Sequence, residues 1–137
     1  MIFDLEASIL AKLSGALPVG TALVGTFGNV DLTDDSAAPI VCQLQFERAI
    51  GSRTIPGSTV SMDVEWSFCV YCHKSRATSG DLTAAEGMLP AAINALVRWQ
   101  YATGRYVLMT DGPQTVFDGQ VLRLGVSFFT TAHFAGN

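Results

Sequence analysis

The chain has 137 residues, 49% of them hydrophobic, with a mean hydropathy of +0.34, enough to bury a core without metal or disulfides, which excludes a disordered tail or a stapled mini-protein. Charged residues make up only 15%, against about 25% in ordinary soluble domains, and a surface so short of charge points to a homo-oligomer or larger assembly that covers part of it. The net charge of −4, with eight Lys plus Arg and no basic run, excludes sequence-specific gripping of DNA or RNA.

At the start, Ile2, Leu5, Ile9 and Leu13, joined by Leu10 and Leu17, recur at helical spacing, with Asp4, Glu6, Ser8 and Lys12 on the remaining positions. This predicts an amphipathic helix that stops between Gly15 and Pro18. Its acidic residues and the lack of a positive n-region speak against a secretory or targeting peptide, and no stretch approaches the roughly 18 apolar residues of a membrane span. Folding in a cytoplasm is therefore expected, with no membrane partner. A short strand over 22–27 and an exposed polar loop over 29–39 follow.

The clearest pattern is strict alternation from Val60 through Met62, Val64, Trp66, Phe68 and Val70 to Cys72, with Ser61, Asp63, Glu65 and Ser67 between them. Period two over this length predicts a long strand with one buried face. Cys42, Leu44 and Phe46 repeat the pattern more briefly, so the two strands should pair antiparallel. Their connection, residues 49–59, carries Arg53, Ile55 and Pro56 and is long for a hairpin, which predicts a projecting arm used as a contact between subunits.

From Leu82 the spacing turns helical again, with Met88, Ala92, Ile93, Leu96, Val97 and Tyr101 as the apolar stripe. Thr83 and Glu86 have capping-box spacing, but a proline deep in a helix loses a hydrogen bond. The regular helix is therefore expected to start near Leu89, with Pro90 in its first turn, and to end at Gly104. Two or three strands should fill the rest, with a turn at Asp111, Gly112 and Pro113 and a two-residue hairpin turn at Asp118 and Gly119. Together these elements predict a single α+β domain over residues 1–137. Its mainly antiparallel sheet has about four or more strands, carries two principal helices and extends into a long β-hairpin arm.

No motif supplies a catalytic site. Cys69, Cys72 and His73 spell the spacing of c-type haem attachment, yet cysteines three apart on an alternating strand leave opposite faces of the sheet, which also argues against a redox pair. Zinc needs four ligands, and Cys42, Cys69, Cys72, His73 and His133 fall on different strands or faces. The three cysteines are read as thiols in a reducing compartment, with Cys42 and Cys72 in the core. Neither histidine lies near a nucleophile elbow. Gly20, Gly25 and Gly28 have no phosphate-loop register. Asp34 with Asp35 reads as a solvated turn, whereas Asp63 and Glu65 place two charges on one polar strand face. Metal, cofactor and catalysis are accordingly not expected.

The order of elements, from Phe3-Asp4-Leu5-Glu6 through the long hairpin and the alanine-rich helix ending in Val97-Arg98-Trp99 to Arg123-Leu124, resembles the tail terminators of long-tailed bacteriophages of the lambda-like and Mu-like kinds. The resemblance implies a structural virion protein, assembled in the host cytoplasm and resident in the tail. It would form a homo-oligomeric ring, a hexamer, on the end of the tail tube. The ring would stop polymerisation and present a surface for head-tail joining, so its partners would be the tube protein and the head-tail connector, with DNA passing through. Arg53, Ile55 and Pro56 become candidates for the subunit or tube interface, and Asp63 and Glu65 for the lumen or polar sheet face. The alternatives are a head-tail connector or minor tail protein and, from a different class, a small-ligand-binding or enzymatic α+β domain using Asp63 and Glu65.

Overall fold

The computed structural model describes residues 2–28, 30, 38–55, 59–73, 77–102 and 105–135. In chain order these form α1 (Ile2–Ala16), β1 (Ala22–Val24), β2 (Ile40–Ile55), β3 (Thr59–His73), α2 (Ser79–Leu96), β4 (Gln100–Ala102), β5 (Arg105–Tyr106), β6 (Leu108–Asp118) and β7 (Val121–Ala135). A five-stranded sheet has the order β1-β2-β3-β7-β6, and β4 with β5 makes a separate ribbon. All pairings in the large sheet are antiparallel except that of β1 with β2. The expected α+β architecture, two helices on a mainly antiparallel sheet, is the one formed.

Alternation along β3 decides where the core lies. Val64, Trp66, Phe68, Val70 and Cys72 are fully buried on one face, and both helices pack there. From α1 come Ile9 and Leu13; from α2 come Ala85, Met88, Leu89, Ala92 and Leu96. Each large apolar side chain so buried contributes roughly 1.5–3 kcal/mol. At the centre, the Trp66 indole N–H donates to Thr130 Oγ1 across the sheet at 2.8 Å, while Phe46 meets the ring edge-on at 5.8 Å.

Helix α2 differs from expectation at both ends. It begins at Ser79 because Thr78 and Asp81 form the capping box: the Thr78 side chain accepts from the Asp81 amide and the Asp81 carboxylate accepts from the Thr78 amide. Pro90 is thus deep inside the helix. It is tolerated because Pro90 and Glu86 both lie on the exposed face, so the carbonyl that loses its partner is not shut into the core. The helix stops at Leu96 because Val97, Trp99 and Tyr101 follow a period of two, and Arg98 turns the chain with a positive φ of 66°.

Smaller corrections follow the same logic. Residues 111–113 make no chain reversal; they lie in β6, where register shifts around Asp111 mark a bulge that accommodates Pro113 at the sheet edge. At the β6–β7 hairpin, Asp118 pairs with Val121, so the two loop residues are Gly119 and Gln120, and Gly119 takes the positive φ of 59°. The strand expected over 22–27 ends at Val24. The loop expected over 29–39 falls mostly outside the described residues. Glu6, placed by periodicity on the polar side of α1, is buried: its carboxylate accepts from the Thr26 amide at 2.9 Å and from the Thr26 hydroxyl, which itself accepts from the Phe46 amide at 2.8 Å. This chain of bonds fixes α1 to the turn after β1 and to β2.

Candidate functional site

The arm expected over 49–59 is a continuation of the sheet rather than a loop. β2 runs to Ile55 and β3 starts at Thr59. Register places Arg53 opposite Ser61 and Ile55 opposite Thr59, whereas Pro56 lies outside the described residues. A third strand supports the arm, since β7 stays paired with β3 as far as Ala135 although its pairing with β6 reaches only to Phe129.

Where β6 gives out, a side chain replaces it. The Thr131 amide donates to the Tyr101 hydroxyl at 2.7 Å, and that hydroxyl donates back to the Thr131 carbonyl at 3.1 Å. Tyr101 therefore satisfies both backbone groups that an edge strand would have met. Replacing Tyr101 by phenylalanine is expected to cost about 1–3 kcal/mol by leaving them unpaired. Chemical denaturation would measure the loss, and faster hydrogen exchange at the Thr131 amide would locate it.

The second face of the sheet carries the carboxylates singled out above. A bulge at Glu47 shifts the register between the Phe46–Trp66 and Arg48–Glu65 pairs, so Phe46 stays on the helix side while Arg48 joins the other face. There Arg48 meets Glu65 at 3.1 Å, and the Thr131 hydroxyl donates to Asp63 at 3.4 Å. With the Arg48 side chain 60% exposed, this ion pair is worth no more than about 1 kcal/mol. It fixes charge placement more than stability. Asp63 and Glu65 thus share a face, as expected, but each has its own partner on a neighbouring strand.

Further along this face, Ser67 donates to Glu47 at 2.6 Å. Cys69 is buried beside Arg123 and Tyr71, in contact with Gly125, where a Cβ would lie 3.3 Å from the sulfur. Hydrogen bonding and charge at Cys69 push the Arg123 guanidinium up, and burial, followed by Cys69, pushes the Tyr71 hydroxyl up. A cavity of about 100 Å³ lies here among Ser67, Cys69, Gln114 and Arg123. Cys69 and Cys72 do leave opposite faces, Cys72 being in the helix-side core. Among the described residues, no group of three or more His, Cys, Asp or Glu could hold a metal ion, and no helix is long and apolar enough to cross a membrane.

Among the described residues this face carries the carboxylates of Glu47, Asp63 and Glu65, the guanidiniums of Arg48 and Arg123 and the hydroxyls of Ser67 and Thr131, with the apolar Val116 and Phe129 beside them. Both helices pack on the opposite side. Sequence reasoning found Asp63 and Glu65 by period alone. It missed Arg48 because a bulge reverses parity, and Arg123 because cross-strand pairing carries no local signal.

No family model matches the chain, and no curated protein matches it. Among solved structures it is similar to a chain in the virion of a native gene transfer agent particle, with a TM-score of 0.59, 12% identity and 95% of each chain covered. At that identity the likeness is one of fold.

Proposed function

We propose that this chain is a structural virion protein of the tail-terminator kind, which closes into a ring on the end of the tail tube, ends its polymerisation and receives the head. The observation that carries the reading is the fold shared, over 95% of both chains, with a component of a gene transfer agent virion. The polar, helix-free face of the sheet supports it. A ring that turns this face inward offers DNA a wall whose carboxylates are largely offset by Arg48 and Arg123, so phosphates meet no strong attraction and slide. In this reading Asp63 and Glu65 line the channel, and the arm carrying Arg53, Ile55 and Pro56 meets a neighbouring subunit or the tube.

A structural role of this kind calls for no cofactor and no catalysis. Its partners are further copies of itself, the tube protein and the head-tail connector. Particles produced without the protein test the reading by electron microscopy. Overlong or polydisperse tails are expected, whereas tails of normal length that fail to join heads would transfer the chain to the connector class.

A further inference from the structure

On the helix side, a groove of about 510 Å³ runs between α2 and the edge strand β6. Its volume is in the range of about 300–1,000 Å³ typical of small-molecule sites, which are mostly apolar with a few placed polar groups. Leu82, Leu89 and Ile93 of α2 form one wall, and Phe117, Leu122 and Leu124 of β6 and β7 form the other. The α2 residues recur at helical spacing, so a single face of that helix is presented. Leu89, Leu122 and Leu124 are buried while Phe117 is 63% exposed, so the apolar lining runs without a break from core to rim.

The polar groups on the same walls are chiefly acceptors. Glu86 is the only charged residue among the described lining, and among the described residues its carboxylate meets no N–H donor or cation. A second acceptor comes from the backbone. Pro90, one helical turn further on, has no N–H to give the Glu86 carbonyl, and both residues line the groove. A main-chain carbonyl released in this way takes its partner from water or from a ligand. Thr115 adds a hydroxyl from β6.

Charge narrows what can enter. An amphiphile with a carboxylate head, such as a fatty acid, would set its charge against Glu86 on a chain that already carries a net −4. A neutral apolar molecule would fill the volume and leave both Glu86 acceptors without donors. A cationic head with several N–H donors and no acceptor answers both acceptors at once.

We propose that the α2–β6 groove binds a small amphipathic organic cation, an aromatic or branched aliphatic body carrying an ammonium or guanidinium group. The body covers Leu89, Ile93, Phe117 and Leu122, and the head sits against the carboxylate and carbonyl of Glu86. Pro90 then has a role that helix stability alone does not give it, since it keeps that carbonyl open at the groove wall. The site lies on the opposite side of the sheet from Asp63 and Glu65, and it does not rest on the ring reading.

Naphthylethylamine, naphthylethanol and naphthylacetate share a ring system and carry a cationic, a neutral and an anionic head. Their binding to the full chain is followed by NMR, with the methyl resonances of Leu82, Leu89 and Ile93 as reporters. The amine is expected to shift those methyls with a dissociation constant on the order of 0.1–1 mM. The alcohol should bind about 10-fold more weakly and the carboxylate not measurably. Glu86→Gln, at an exposed position, should weaken the amine about 10-fold and leave the alcohol unchanged. Pro90→Ala returns an N–H to the Glu86 carbonyl, so it should raise the melting temperature of the free chain by about 5 °C or more and weaken the amine about 3-fold. Equal binding of amine and alcohol, an amine affinity untouched by Glu86→Gln, or shifts confined to residues outside the groove would each overturn the proposal. Failure of all three probes would also overturn it and leave the groove to be covered by protein in the assembled particle. The tail-length assay does not involve the groove, so failure here and failure of the ring reading are separately visible.

Discussion

Truncating Trp66 to alanine is expected to lower stability by about 3–5 kcal/mol, the range for removing a large aromatic side chain from a packed core. Trp66 is fully buried at the point where β2, β3 and β7 meet the helices, and its neighbours are held on several elements, so the space cannot collapse cheaply. A cycle with Thr130 separates packing from hydrogen bonding. Thr130→Val keeps shape but leaves the indole N–H without its acceptor, at a cost of about 1–3 kcal/mol; Trp66→Phe leaves the Thr130 hydroxyl without its donor. Because each single change orphans a buried group and the double change removes both, the double variant should lose less than the two singles together. Strictly additive losses in urea denaturation would show that the bond contributes nothing.

The same residue marks how far sequence alone reaches. The alternation that placed Trp66 inside also placed Asp63 and Glu65 outside, because on a long strand every second side chain shares an environment. Period says nothing of which strand lies alongside. The parallel pairing of β1, the bulge that brings Arg48 to Glu65 and the Tyr101 hydroxyl serving Thr131 join residues 17 to 30 positions apart. No local pattern encodes them.

Helix α2 shows a different limit. The cost of a proline deep inside a helix outweighs the weak signal at Thr83, while the cap formed by Thr78 and Asp81 involves a serine and a glycine that propensity discounts. One carbonyl left without its partner at Glu86 costs less than giving up residues 79–88, nearly three turns of helix, and the burial of Ala85 and Met88. Glu6 went astray through the converse effect. Its carboxylate is buried because the Thr26 amide and hydroxyl donate to it, and those donors come from 20 positions away.

Alkaline solution is expected to destabilise the protein well before the backbone is affected, through Cys42. Its thiol is fully buried with its sulfur 3.6 Å from that of Met88, and burial, followed by the neighbouring thiols of Cys72 and Cys69, pushes it from about 9.0 to about 12. The folded chain thus keeps a proton that the unfolded chain releases near pH 9. The stabilisation is complete below that pH and is lost progressively up to about 12, at no more than about 1.4 kcal/mol per pH unit from this one group. Cys72 and Tyr71 shift in the same direction, both chiefly through burial, and add to the slope. Urea midpoints for wild type and Cys42→Ala at pH 7, 9 and 10.5 isolate the contribution. The variant should be weaker at pH 7, having lost a packed sulfur, yet fall less steeply above pH 9, so that the two curves converge. Parallel curves would mean that the Cys42 thiol ionises in the folded state as readily as in the unfolded one, and that water reaches a core which the packing of α2 on β2 and β3 closes.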